Sequence, residues 1–591
     1  MEVYFDLVVD PSALKSACDF LSALDLIGFD TETTELDPHE GRLRLVQFSG
    51  GDRTFVIDLA AFEGFGSLTE ISELEPLRKL LAAKKPVKIA HNAKFDAKWI
   101  EHHLACELGG VFDTYLASVL IAAGERERRH GLADVASFFL GIEVDKTEQV
   151  SDWNAPDLSE SQIQYAAKDA ALMIPLREKL VERMKNDELL KVAELEFDCI
   201  APIAIMENNG VFLDADMWRD LLEQVKKDQD ALAAELQEML AEGVSQASLF
   251  GAPEINLDSV SQVSDALRNL GVPIETSTRQ GALEPLAEDY PVVAKLLEYR
   301  AAAKASSSFG ENILEYISDV TGRIHPDFRQ IGAQSGRFAC SRPNVQQIPH
   351  QEQYRRCFRA PDGRKLVIAD YSQIELRILA EFSNDTNFLD SFRSGADFHA
   401  AAAAQVFGIS RAEVTSEQRS FAKRLNFGVV YGIGAQSFAK LSGVTTEEAE
   451  NMLRRYFSTH SGLEAWLRKA GDNAVGEGMA RTASGRLAKF RFEHGDRQQM
   501  GAIRRYGMNL PIQGTSADIL KRAIRLLHDS LKGTDAFLVN IVHDEIVVET
   551  GADIADETAK IVEDAMIRAA RDYLKEVPIV VDVRVGDSWG K

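Results

Sequence analysis

The sequence predicts a multidomain α/β protein, and three observations carry that prediction. Its 591 residues correspond to about four units of roughly 150 residues each. Short strand-like runs alternate with amphipathic helical patterns over residues 1–185. Two further strand-like segments, near 365 and near 540, stand among long helical stretches. The composition, 45% apolar and 27% charged, excludes collagen-like, disordered and coiled-coil classes.

The elements follow in order. Leu26–Asp30, Leu43–Phe48 and Thr54–Asp58 read as strands with turn residues between them. Val87–Ala90 reads the same way, and helices are expected after Pro76 and after Leu158. A charged helical segment over Leu176–Glu196 leads into a helix-rich region over 188–310, interrupted by the polar stretch 243–262, with Asp187 as the boundary. Arginine-rich loops begin at 322 and precede the strand Lys365–Asp370. Helices are expected to fill 373–530. A hairpin then closes the chain: Phe537–Val542, a polar His543-Asp544-Glu545 tip, and Ile546–Glu549.

Charge narrows the classes further. Basic residues number 66 and acidic ones 92, a net charge of −26. A uniformly negative field repels phosphate, so any nucleic-acid contact has to lie in a locally basic groove. No apolar run approaches the roughly 20 residues that span a bilayer. The start, Met-Glu-Val-Tyr-Phe-Asp, lacks the basic and apolar segments of a signal peptide. The 5 cysteines are scattered without a C-x-x-C pair, so neither a disulfide framework nor a zinc site is indicated. A reducing cytoplasm is expected, in a bacterial cell or a phage-infected host, or in an organelle if a transit peptide has been removed.

Two groups of carboxylates carry the chemistry. Asp30-Thr31-Glu32 ends the first apolar strand. His91-Asn92-Ala93-Lys94-Phe95-Asp96 follows another strand, and Tyr165 and Asp169, four apart, share one helix face. Four acids clustered without cations repel one another, so the cluster calls for divalent metal. Oxygen-only ligands suit Mg²⁺ or Mn²⁺ better than zinc. This series resembles the DEDD-type 3′→5′ exonucleases in their tyrosine-containing variant, over residues 20–180. The resemblance implies an RNase H-like domain in which Asp30, Glu32, Asp96 and Asp169 hold two metals about 3.5–4 Å apart. It implies that Tyr165 helps to orient the attacking water.

The second group is Asp370, after a strand, and Asp544, at the hairpin tip. Two distant strand ends meeting on one sheet hold two metal-binding carboxylates rigidly. Between them, Thr415-Ser416-Glu417-Gln418 has capping-box spacing, so a helix starts there. It carries Arg419, Lys423, Phe427 and Tyr431 at i+4 steps that drift about 40° each, one slanting stripe of two cations and two rings. Phosphate contacts at one end and a stacking surface at the other explain that stripe.

Five segments, S-G-R-F-A-C-S-R-P-N-V-Q-Q-I-P (335–349), D-Y-S-Q-I-E-L-R (370–377), R-S-F-A-K-R-L-N-F-G-V-V-Y-G (419–432), N-L-P-I-Q-G-T-S-A-D (509–518) and V-H-D-E (542–545), look like those of family-A DNA polymerases. The resemblance implies an exonuclease domain over 1–187 and a right-hand polymerase domain over 188–591. Within the latter the thumb is expected at 188–320, the palm at 321–390 and 506–591, and the fingers at 391–505. No 5′-nuclease domain is expected, because the chain begins at the exonuclease.

By the same resemblance, Asp370 and Asp544 bind two Mg²⁺ ions, with Glu545 beside them. Arg419, Lys423 and His399 grip the triphosphate, with Lys423 as proton donor to pyrophosphate. Gln373 also lies in the dNTP site, Phe427 and Tyr431 stack near base and sugar, and Glu375 is the steric gate that excludes a ribose 2′-hydroxyl. Arg337, Asn344, Gln346, Arg505, Asn509, Gln513 and His543 touch the primer–template, several in the minor groove, where acceptors sit alike in all four base pairs. The expected partners are primer–template DNA and dNTPs, with no membrane and a monomeric chain.

Local charge supports a DNA track. Arg323, Arg329, Arg337, Arg342, Arg355, Arg356 and Arg359 face only Asp327 and Glu352 in that stretch. Arg481, Arg486, Lys489, Arg491, Arg497, Arg504 and Arg505 meet only Glu493 and Asp496. Phe421, Gln347 and Cys340 depart from the family's usual residues. Two alternatives stay open: an RNA polymerase of the same fold, against which Glu375 and a complete exonuclease argue, and an accessory subunit that has lost its chemistry, against which the six retained aspartates and glutamates argue.

Overall fold

A computed structural model describes residues 3–65, 67–125, 128–144, 147–148, 151–242, 255–274, 277–308, 310–395, 397–493 and 495–590. Part of the polar stretch expected at 243–262, namely 243–254, lies outside the described residues.

The first unit is a six-stranded sheet of order β1-β4-β3-β2-β5-β6, formed by Asp6–Val8 (β1), Leu26–Thr33 (β2), Leu43–Gly50 (β3), Arg53–Asp58 (β4), Val87–Ala90 (β5) and Val111–Asp113 (β6). β2, β3 and β4 are antiparallel neighbours, whereas β1 runs parallel to β4 and the set β2, β5, β6 is parallel. Nearly every residue of β3 is buried, because helices cover the sheet on both faces. The long helix Glu160–Asn186 opens with a Ser159–Gln162 capping box and packs on β2. Gly28 permits that approach: a Cβ there would lie 2.0 Å from the carbonyl oxygen of Ala170. Asp169 therefore comes beside the strand that carries Asp30.

That helix ends at Asn186, with Asp187 as its C-cap. Helices Leu190–Asp198, Ile200–Asn209, Ala215–Ala241 and Pro291–Ser308 follow, as the helical pattern predicts. A short antiparallel pair, Asp327–Arg329 (β7) and Ala339–Ser341 (β8), comes next.

The second sheet has order β12-β13-β9-β14, all antiparallel, from Arg364–Tyr371 (β9), Ala536–Val542 (β12), Glu545–Gly551 (β13) and Val581–Gly586 (β14). Two expectations need correction. The stretch 373–530 is not wholly helical, since Met479–Arg481 (β10) and Leu487–Lys489 (β11) form a hairpin between helices. The hairpin 536–551 does not close the chain either. Helix Ala555–Arg571 and β14 follow it, and β14 pairs with the free edge of β9. The apolar run of β9 thus becomes an interior strand with neighbours on both edges, which shields its backbone groups as burial requires. Helix Arg497–Leu531 has 35 residues, about 50 Å at 1.5 Å per residue, and runs unbroken through the expected fingers–palm boundary at 505/506.

Candidate active sites

In the first unit, Asp30 and Glu32 stand two apart near the end of β2, so alternation turns both to one face. Asp96 lies in the first turn of helix Lys94–Leu104, and Thr31 donates to its Oδ1 at 2.6 Å. Asp169 joins them through the Gly28 contact. Burial raises Asp30 and Glu32 well above the usual carboxylate range, and repulsion from the other acids adds to it. Burial lifts Asp96 to about 7 and Asp169 to about 6, the latter restrained by the hydrogen bond from the Tyr165 phenol. Burial and the neighbouring acids keep that phenol neutral.

Asp169 Oδ1 is buried with no hydrogen-bond partner among the described residues. Among the described residues, no three His, Cys, Asp or Glu side chains are closed round one point. Carboxylates clustered without a compensating cation favour their protonated forms. A divalent cation with hard oxygen preference fits that donor set. Thr31, which orients Asp96, was not singled out from sequence, where a threonine between two acids carries no distinguishing signal.

The second centre sits where β9 ends and β13 begins. Asp370 faces Glu545 on one side and Asp582 of β14 on the other. His543, at the hairpin tip, adopts φ +58°, a left-handed turn that brings Asp544 beside Asp370; the Tyr371 N–H reaches the Asp544 carbonyl at 3.5 Å. Burial, then Asp544, Glu545 and Asp582, push Asp370 up to about 7. Burial, with Glu375 and Glu545 adding to it, raises Asp544 to about 6. Asp370 Oδ1 is buried and unpartnered, a second oxygen that a cation would satisfy. Glu545 differs from them: the Trp589 indole N–H donates to its Oε1 at 2.6 Å, and Arg355 lies 3.4 Å away. Asp582, an exposed acid on a strand absent from the sequence reading, was missed.

Around this centre stands helix Ser416–Val430, opened by the Thr415–Gln418 capping box. Arg419 Nε contacts Asp397 at 2.5 Å. Lys423 is exposed, with no carboxylate in ion-pair range among the described residues. Together with Phe427, Tyr431 and Arg505 it lines an open cleft. His399 is 3% exposed, its Nδ1 sits 2.9 Å from the Asn426 amide and its Nε2 3.5 Å from Gln373, and burial lowers its pKa. Its burial between these amides disfavours the charged ring. Glu375 is buried and clamped: Arg337 binds one oxygen and the Tyr431 hydroxyl donates to the other at 3.1 Å. Sequence placed these three residues in two different sites.

Arg505, Asn509 and Gln513 follow at i+4 steps on one face of helix Arg497–Leu531. Asn344 and Asn509 each bury a carbonyl oxygen without a partner, and Gln346 Nε2 reaches the Ile541 carbonyl at 3.4 Å. Phe421 packs between Phe407 and Phe438, and Cys340 donates to the Pro343 carbonyl; both departures serve packing.

The basic track needs correction. Acids distant in sequence neutralise much of it: Glu549 binds Arg323, Glu375 binds Arg337, Glu545 binds Arg355 and Asp214 binds Arg359. Arg486 is buried between Glu196 and Asp518, and Arg491 and Arg504 pair with Glu125 and Asp472. Among the described residues, Arg329, Arg481, Arg497 and Arg505 have no carboxylate in range.

A family model described as DNA polymerase family A matches residues 222–591, and one described as 3′-5′ exonuclease matches 5–185. The chain is 32% identical to DNA polymerase I of Pseudomonas aeruginosa, over 100% of its own length and 66% of that protein. It is 33% identical to DNA polymerase I of Aquifex aeolicus, over 99% of its length and 100% of that protein. It thus spans about two thirds of the first relative and all of the second. It also resembles the solved POL domain of Pol1 from M. smegmatis in complex with DNA primer-template and dNTP, with a TM-score of 0.82, 27% identity and 99% of each chain covered.

Proposed function

Because the chain belongs to DNA polymerase family A, as a DNA-directed DNA polymerase joined to a 3′–5′ exonuclease domain, we propose that its two acidic centres build and edit one strand by divalent-metal chemistry. The observation that carries this is the clustering, at two separate places, of carboxylates whose pKa burial raises: Asp370 with Asp544, and Asp30, Glu32 and Asp96 with Asp169.

Two Mg²⁺ ions per centre, or Mn²⁺ in their place, would acidify the attacking hydroxyl or water and neutralise the departing phosphate oxygens. The chain's own residues do the rest. Lys423 sets an unpaired ammonium where a pyrophosphate oxygen needs a proton, and Arg419 adds a second positive charge beside it. Tyr431 and Phe427 offer rings to the incoming base and sugar. Glu375, held by Arg337 and Tyr431, keeps a carboxylate against the sugar's 2′ position. Arg505, Asn509 and Gln513 present donors to the minor groove of the nascent pair, with Asn344, Gln346 and His543 at the primer side. In the first unit Tyr165 holds Asp169 and orients the attacking water.

We assign residues 1–187 to the exonuclease, 188–320 to the thumb, 321–390 with 506–591 to the palm, and 391–505 to the fingers. The substrates are primer–template DNA and dNTPs, and the chain acts as a monomer in a reducing cytoplasm. Its five cysteines are all unpaired, and among the described residues no helix is long and apolar enough to cross a membrane.

Primer extension from matched and mismatched 3′ ends, with and without Mg²⁺, tests the proposal. Extension of matched ends, trimming of mismatched ends and loss of both with chelator are expected. Metal-independent turnover at either centre would contradict it.

A further inference from the structure

Asp113 ends β6 and is 1% exposed. Its carboxylate accepts four backbone N–H groups. Asn92 and Ala93 donate at 3.2 and 2.8 Å, from the turn that leads into helix Lys94–Leu104. Tyr115 and Leu116 donate at 2.7 and 3.1 Å, from the first turn of helix Thr114–Ala122. One carboxylate thus joins the positive ends of two helices. Beside it, the Thr114 hydroxyl donates to the Ala90 carbonyl at 3.0 Å and lies 2.9 Å from His91 Nδ1. The corner after β6 therefore grips the corner after β5 over the whole run Ala90–Ala93. Asn92 needs that grip, because its φ of +63° is a conformation that L residues adopt sparingly. Asp96 stands three residues beyond Ala93, so the place of this turn sets where its carboxylate can reach.

We propose that Asp113, supported by Thr114, is a positioning residue of the exonuclease centre, fixing the corner from which Asp96 reaches a divalent ion. The inference rests on the reading that this centre holds divalent cations. Neither residue belongs to the D-x-E, N-x-x-F-D or Y-x-x-x-D segments. A carboxylate that merely capped a helix would matter to stability and leave the metal response alone.

Asp113→Asn preserves size but turns an amide N–H₂ toward backbone donors, so part of the four-bond set is lost. Mn²⁺ is titrated, by loss of the free-ion EPR signal, into a chain whose palm acids are replaced by Asp370→Asn and Asp544→Asn, leaving the exonuclease centre to bind. Adding Asp113→Asn is expected to raise the Mn²⁺ Kd on the order of ten- to hundredfold, the usual effect of losing an outer-shell partner. Thr114→Val is expected to raise it less, in the same direction. With the palm acids intact, Asp113→Asn should extend matched primers normally while its exonuclease demands more Mg²⁺. If matched extension is lost as well, Thr114→Val decides on the same two readouts. An unchanged Mn²⁺ Kd and Mg²⁺ requirement, with only a lowered melting temperature, overturns the assignment. Absence of Mn²⁺ binding and of exonuclease in the chain with native Asp113 would instead remove the reading beneath it.

Discussion

Glu545 accepts the indole N–H of Trp589 at 2.6 Å, although its backbone stands directly opposite Asp370 in the β9–β13 ladder. Unlike Asp370 and Asp544, it has an oxygen already engaged by a hydrogen bond and an arginine beside it. Asp370 and Asp544, both raised by burial and by neighbouring carboxylates, have the greater need of a cation. Glu545→Gln keeps an acceptor for Trp589 and should lower the extension rate by no more than about tenfold, whereas Asp544→Asn should lower it by at least about a thousandfold. Single-turnover extension measures both, and equal losses would make Glu545 an equal partner.

Glu375 is held by Arg337 and by Tyr431. Glu375→Ala removes its bulk and frees both partners to move into the sugar pocket. Ribonucleotide incorporation relative to dNTP is expected to rise about tenfold or more, read by single-nucleotide extension with competing substrates. Unchanged sugar selectivity would refute the gate.

Tyr165 serves Asp169 through its hydroxyl. Tyr165→Phe should slow single-strand exonuclease on the order of tenfold or more while matched-primer extension stays constant. Loss of extension in the same variant would mean that the phenol's role is not local.

Glu107 ties the exonuclease unit to helix Arg497–Leu531 through His528, Lys532 and Arg525. Burial pushes its pKa up, but the hydrogen bonds from His528 and Lys532 prevail and bring it from 4.5 to about 2. A depressed folded-state pKa means stabilisation that is complete above the unfolded value and fades as pH falls toward 2. Glu107→Gln should therefore cost on the order of 2 kcal/mol at pH 7, less near pH 3. Urea unfolding across pH 3–7 reads the gap between the two proteins, and a gap independent of pH would contradict the ion-pair account.

Much of this was legible in the chain, for identifiable reasons. β2, β3, β4, β5 and β9 announce themselves by compact apolar runs, and the helix at Ser416 by its capping box. β14 was not visible, because Val581-Asp582-Val583-Arg584 becomes a strand only by completing the edge of β9, a tertiary cause. The carboxylates fall at strand and helix ends in recognisable spacing, and Gly28, which lets Asp169 approach β2, is explained only once the helix is in place. The basic track misled because charge counted along the sequence ignores partners such as Glu549 and Glu196, more than a hundred residues from the arginines they bind. The Arg337–Glu375–Tyr431 clamp was out of reach for the same reason.

The most direct test separates the two centres in one chain. Asp544→Asn and the double variant Asp30→Asn, Glu32→Gln are each given labelled primer–templates with a matched and with a mismatched 3′ end, and degradation and extension are followed together. The first should shorten the primer and never lengthen it; the second should lengthen a matched primer at the normal rate and leave the mismatched end untrimmed. Both activities falling in parallel in either variant would contradict two independent centres.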